Sequence, residues 1–276
     1  MRARTTLVWV CGVMGVLAGV AFGQTFSQSF ESDAVGSAAG WSGGQRWFDP
    51  TPGAVAAVTS TDSVSPSNSL SVTDPNGTGF FVWRDYGGLS SDGVQDITVS
   101  FDMKVSNYGD NIAVSPFAYN SSVWGGDTGG SGGFGWPVNT NLTVENIFSY
   151  YDENAGSITM LDSTVVGDLR GQWIHWSGTV HPVARTADVA VTLLTGPSAG
   201  ATGSVTGAQF QYGVASDYYG GAMDALRGLV IFNPASASFS GGELLIDNLR
   251  VVVPEPASLA LLGLGGLALI GRRRSR

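Results

Sequence analysis

"DITVSFDMKVS" (Asp96–Ser106) alternates without a break: Ile97, Val99, Phe101, Met103 and Val105 fall on one side, and Thr98, Ser100, Asp102 and Lys104 on the other. Successive side chains of a strand point to opposite faces of a sheet, so this pattern predicts a strand with one buried face. The same period recurs in "SLSVTD" (Ser69–Asp74), "ADVAVTLL" (Ala187–Leu194) and "GELLIDNLRVVV" (Gly242–Val253). Turn-forming stretches separate such runs, among them "DPNGTG", "NYGDN", "DENAGS" and "TGPSAGATGS". Lys104 is the only lysine, and Gly, Ser, Thr, Val and aromatics dominate, a composition that disfavours helices. A short helix over Gly221–Gly228 is the single exception expected. Many strands without amphipathic helices between them indicate an all-β, antiparallel β-sandwich, one domain over residues 24–253.

The two ends do not belong to that fold. "MRARTTLVWVCGVMGVLAGVAFGQ" has two arginines, an apolar stretch from Leu7 to about Phe22, and small residues at Ala21 and Gly23. This is the layout of a secretory signal peptide, a signal helix over residues 1–23 that signal peptidase removes before Gln24. Cys11, the only cysteine of the 276 residues, lies within it, so the mature chain has no disulfide and no thiolate metal site.

Removing the six arginines of the two ends and Glu255 leaves 7 basic and 21 acidic residues, a body charge of −14. Such a surface repels nucleic acid and anionic lipid headgroups, so nucleic acid is excluded as a partner.

The C-terminus reads "VVVPEPASLALLGLGGLALIGRRRSR". Pro254, Glu255 and Pro256 end the last strand, because proline donates nothing to a ladder. The apolar run Ala257–Ile270 would form a helix of roughly 21 Å, short of the ~30 Å hydrocarbon core, and residues 254–271 approach the minimum span. Arg272, Arg273 and Arg274 then hold the cytoplasmic side. Pro-Glu-Pro, short transmembrane helix and basic end, over residues 254–276, closely resemble the PEP-CTERM sorting signal of Gram-negative bacteria. That resemblance implies recognition of Pro254–Pro256 by exosortase, a membrane-embedded transpeptidase-like enzyme. It also implies an inner-membrane-anchored precursor and delivery to the envelope surface or the exopolysaccharide matrix.

The body resembles jelly-roll carbohydrate-binding modules and their concanavalin/laminin-G-like relatives. The resemblance rests on "FSQSFESDAVGSAAGWSG" (Phe26–Gly43), "SPSNSLSV", "GQWIHWSGTV" (Gly171–Val180) and "LLIDNLRVV" (Leu244–Val252), in that order. It implies a sandwich in which Trp173 is core, although alternation alone sets Trp173 with His175 on one face and Ile174 with Trp176 on the other and leaves open which of the two points inward. It also implies a structural calcium ion between Glu31 and Asp247, with backbone near Ser67 and Asn68 completing the oxygen shell. The other reading of this pair is a solvated edge residue and a turn cap.

Few residues suit catalysis. "GGSGG" (Gly129–Gly133) matches a nucleophile-elbow pattern but lacks the strand and helix that motif requires. His175 and His181, the only histidines, show no metal-ligand spacing and read as structural. Asp152 and Glu153 are adjacent and fit a hairpin turn better than a facing acid pair. Aromatics are the better candidates, since sugar rings stack on Trp and Tyr. Trp124 and Trp136 flank a Gly-rich loop, and Tyr150-Tyr151 and Tyr218-Tyr219 each send one ring inward and one outward if extended. The expectation is therefore a non-enzymatic, exported surface or matrix protein associating with polysaccharide. A structural matrix protein without a ligand site, and a glycan hydrolase or lyase, are the alternatives.

Overall fold

A computed structural model describes residues 24–44, 55–73, 80–85, 95–106, 112–119, 134–135, 138, 140–143, 146–152, 154–209, 226–233 and 242–254. Residues 1–23, with the expected signal helix, and 255–276, with the expected transmembrane helix, lie outside these. Among the described residues no helix is long and apolar enough to cross a membrane.

Two eight-stranded antiparallel sheets account for most of the described residues. The first runs, edge to edge, through β14 (Thr202–Gln209), β13 (Thr186–Leu193), β12 (Trp173–His181), β6 (Ile97–Val105), β16 (Glu243–Val253), β4 (Ser69–Thr73) and β3 (Val55–Thr59). Its eighth strand, β1 (Gln24–Gln28), pairs with the far half of β16. The second sheet runs through β11 (Gly156–Asp162), β10 (Ile147–Asp152), β9 (Thr140–Leu142), β7 (Ile112–Tyr119), β15 (Leu226–Asn233), β5 (Phe80–Asp85) and β2 (Ser42–Gly44), with β8 (Phe134–Gly135) on β7. The end of the stretch read as a short helix, from Leu226 onward, is strand. The one described α-helix, α1 (Ser163–Val166), is a single turn, capped where Asp162 Oδ1 accepts from Thr164 N–H at 2.8 Å.

The alternation read in the opening stretch is realised in β6: Ile97, Val99, Phe101, Met103 and Val105 are all buried in the core between the sheets. Leu70 and Val72, Val189 and Val191, and Leu244 and Ile246 join them. Phe101 stacks on Trp176 with ring centroids 5.2 Å apart. The buried indole of Trp176 donates to Thr140 Oγ1 (3.0 Å), which donates to Val114 O (3.1 Å), so a satisfied polar chain crosses between the sheets. Pro116 in β7 falls between the stretches that pair with β9 and with β8, where no ladder donor is needed on that side.

The sheets meet at one flank, where β14 approaches β11. Tyr150 Oη donates to Gln209 O (2.9 Å), and Gln209 N–H donates to Asp152 Oδ2 (2.7 Å). Asp152 Oδ1 accepts from Asn154 and Ala155 N–H, both at 2.8 Å, and Asp152 pairs with Gly156, so β10 turns back into β11 here as expected.

Candidate functional site

The segment joining β3 to β4, residues 60–68, folds back over the outer face of the first sheet as a strap. "STDSVSPSN" is short, polar and turn-rich, and three carboxylates from three places tie it down. Asp62, within the strap, pairs with Lys104 Nζ of β6 and accepts from the Trp173 indole N–H at 3.1 Å. Partial burial pushes the Asp62 carboxyl up, but Lys104 and Trp173 outweigh it and hold it below the usual range. Asp247 of β16 accepts from Val64 and Ser65 N–H at 3.0 and 2.8 Å, and from Asn248 N–H at 2.7 Å. Glu31 Oε1 accepts from Ser65 Oγ (3.1 Å), Ser67 N–H (3.2 Å) and Asn68 N–H (3.1 Å). Those donors, Asn68 first, draw the exposed Glu31 carboxyl below its ordinary value.

Glu31 and Asp247 therefore do come together, sharing the Ser65 hydroxyl, which lies 2.9 Å from Asp247 Oδ2. Asp247 is fully buried, and burial raises its pKa against the pull of its donors. The reason Asp247 can reach the strap is a bulge. β16 shifts register between Asp247 and Arg250, and Asn248 takes a left-handed conformation, φ 53°. At this break β16 hands its outer edge from β4 to β1.

Calcium takes carboxylate and carbonyl oxygens. The strap instead aims backbone N–H groups at both carboxylates: Ser67 and Asn68 lie where the sequence placed them but present donors. Among the described residues no third acidic or histidine side chain joins the pair in a metal-binding group. In this arrangement Glu31 and Asp247 act as locks on the strap.

Beside the bulge, His175 Nδ1 lies 2.6 Å from Asp102 Oδ1, and Asn248 Nδ2 donates to Asp102 Oδ2 at 2.7 Å. Asp102 and Asp247 are register partners across β6 and β16, both buried and both filled by donors. His181 bridges Asp96 (2.9 Å) and Asp188 (3.3 Å) at the far end of β12. Both histidines are thus held by carboxylates. Trp173 is not where the resemblance put it: Ile174 and Trp176 face the core, and Trp173 lies on the outer face, buried by the strap to 4% exposure.

Of the expected ligand aromatics, Tyr150 is wholly buried and presents no face to solvent, while Tyr151 is 42% exposed. Trp124, Trp136, Tyr218 and Tyr219 lie outside the described residues, as do Glu255, Pro256, Arg272, Arg273 and Arg274. Pro254 is exposed at the end of β16, where the ladder stops.

Residues 252–275 match the family model of the PEP-CTERM protein-sorting motif. The chain carries a PEP-CTERM sorting motif. The PEP-CTERM match starts inside β16, so the motif is joined to the sandwich with no linker between them. A PEP-CTERM motif implies processing by exosortase, export, and a membrane-anchored precursor. No curated protein matches the chain in sequence. Among solved structures, a carbohydrate esterase from the Shiga toxin-encoding bacteriophage phi24B is similar at 16% identity and TM-score 0.51, covering 85% of this chain and 100% of that one. The lectin UEA-II, solved with galactose, is similar at 13% identity and TM-score 0.50, covering 84% and 99%. At these identities the likeness establishes the fold, a lectin-like jelly-roll sandwich, and nothing of activity.

Proposed function

We propose that this is a non-enzymatic, exported protein of a Gram-negative bacterium, displayed at the cell surface or in the extracellular matrix, where its sandwich associates with polysaccharide. One observation carries the reading: a sorting motif fused directly to the last strand of a lectin-like sandwich. Signal peptidase frees the N-terminus at Gln24, exosortase acts at Pro254–Pro256, and the sandwich is what remains outside. The carboxylates described above favour binding over hydrolysis. Glycoside hydrolysis needs two carboxyl groups facing an open groove, whereas Asp102 and Asp247 are buried in hydrogen bonds.

The test is a glycan array together with pull-down by exopolysaccharide from the native host. Retention of the protein on the host polymer is the expected result. Binding to neither would leave the structural matrix role.

A further inference from the structure

We propose that the tip of the β12–β13 hairpin, Val183 to Arg185, lies on the phospholipid headgroups of the membrane that anchors the precursor. This goes beyond the polysaccharide reading and depends instead on the sorting motif and the membrane-anchored precursor it implies. The observation that carries it is the place where the chain leaves the sandwich.

β16 ends at Val253 and the apolar run begins at Ala257, so only Pro254, Glu255 and Pro256 stand between sandwich and bilayer. Residue steps of at most ~3.6 Å keep Val253 within roughly 14 Å of the start of that run. The headgroup layer takes up about 6 Å of this distance. Proline favours extended backbone in the residue before it, so the exit is biased to keep the direction of the strand. The other end of the body leaves at the same place, since Gln24 is the register partner of Val253. Whichever end holds the protein, the same end of the first sheet faces the membrane.

At that end β12 turns into β13. Val252 pairs with Thr98 and Thr98 with Thr179, so Val180 stands level with Val253. The turn between His181 and Thr186 lies two to three residue steps beyond that level, roughly 7–10 Å. With the strand continuing into the tail, its tip reaches the headgroup layer even when the exit is fully stretched.

The chemistry of the tip suits this position. Val183 is 71% exposed, and Ala184 and Arg185 are exposed beside it. Arg185 is left-handed, φ 59°, and its N–H donates to His181 O at 2.8 Å, which closes the turn in one shape. An apolar side chain next to an arginine fits the headgroup boundary, the one toward the acyl chains and the other toward phosphate. A body of charge −14 is repelled by anionic lipid, so contact needs an end whose carboxylates are occupied. Asp96 and Asp188 both bond His181, at 2.9 and 3.3 Å, and Asp188 Oδ1 accepts from Gly207 N–H at 2.7 Å. The β10–β11 turn reaches the same flank, but Asp152–Gly156 includes Glu153 and no large apolar residue.

The test uses the full chain, tail included, in vesicles of phosphatidylethanolamine and phosphatidylglycerol. Cys11→Ser leaves a single engineered thiol, A184C or A199C, to carry a fluorophore. Ala199 is exposed in the turn at the opposite end of β13, a strand of eight residues and so roughly 26 Å away. A headgroup-bound quencher should dim the A184C label severalfold more than the A199C label. Adding V183E and R185E together should bring quenching at A184C down to the A199C level, at unchanged melting temperature and unchanged partition into vesicles. Equal quenching at the two positions overturns the contact, and so does quenching at A184C that survives V183E and R185E, since the tether alone then sets the distance. A chain that stays in solution overturns it together with the anchored precursor. Retention by host polysaccharide is read separately, and none of these outcomes bears on it.

Discussion

Gly203 has no space for a side chain, because β14 crosses β11 so closely that a Cβ would lie 1.9 Å from the backbone oxygen of Met160. Neither partner is a flexible side-chain tip, so Gly203→Ala must move one backbone. The substitution should cost on the order of 1–3 kcal/mol, read as a lower denaturant midpoint. An unchanged midpoint would mean the two sheets do not close at this flank. Asp247 makes the complementary case. Asp247→Ala removes the charged acceptor of the Val64 and Ser65 N–H groups, hydrogen bonds of a kind worth about 1.5–3 kcal/mol each. It should lower stability and raise the exposure of Trp173, which a red shift of indole fluorescence would report. Fluorescence unchanged in Asp247→Ala would show that the strap is held without this carboxylate.

At the scale of elements, the hairpin of β12 and β13 carries a pH dependence. Partial burial pushes the His181 imidazole down, but Asp96 and Asp188 outweigh it, and its pKa stands above the ordinary value. A histidine raised by folding contributes stability that is fully present below its unfolded pKa, near 6.5, and is lost as pH rises through the higher folded value. Melting temperature should therefore fall between pH 6 and pH 8.5, and His181→Gln should flatten that fall. A wild-type curve already flat across this window would remove His181 from the account. The strap makes a second element-scale prediction. Because its donors already hold Glu31 Oε1 and both oxygens of Asp247, chelator and added calcium should both leave the melting temperature where it was. A rise with calcium, reversed by chelator, would show that the strap rearranges to offer carbonyls.

For the whole molecule, the sorting motif and the last strand are continuous, so processing should trim the tail and spare the sandwich. Mass spectrometry of the protein from its native host should show a chain beginning at Gln24 and lacking everything after about Pro256. A molecule that keeps its terminal arginines has not passed through exosortase.

Much of this architecture was legible along the chain. Alternation placed the core face of β6, β4 and β13 correctly, because burying one face of a strand leaves a period of two that needs no partner to be seen. In β16 it held only as far as Ile246, since the bulge at Asn248 breaks the period and turns Leu249, Val251 and Val253 inward. The C-terminal motif was legible for a similar reason: a sorting enzyme reads a short linear segment. Trp173 shows where such reading stops. Period two puts Trp173 and His175 on one face and Ile174 and Trp176 on the other, yet cannot say which face points inward. That depended on β12 lying between β6 and β13, and on a strap from residues 60–68 covering the outer indole. Asp247 shows the same limit from the other side. Its meeting with Glu31 was foreseen, but whether the intervening backbone offered carbonyls or N–H groups was fixed by a bulge at Asn248. Local pattern determined strand identity and the sorting motif; register, facing and the contacts of the strap were decided only in three dimensions, since each depends on contacts between residues far apart in the chain.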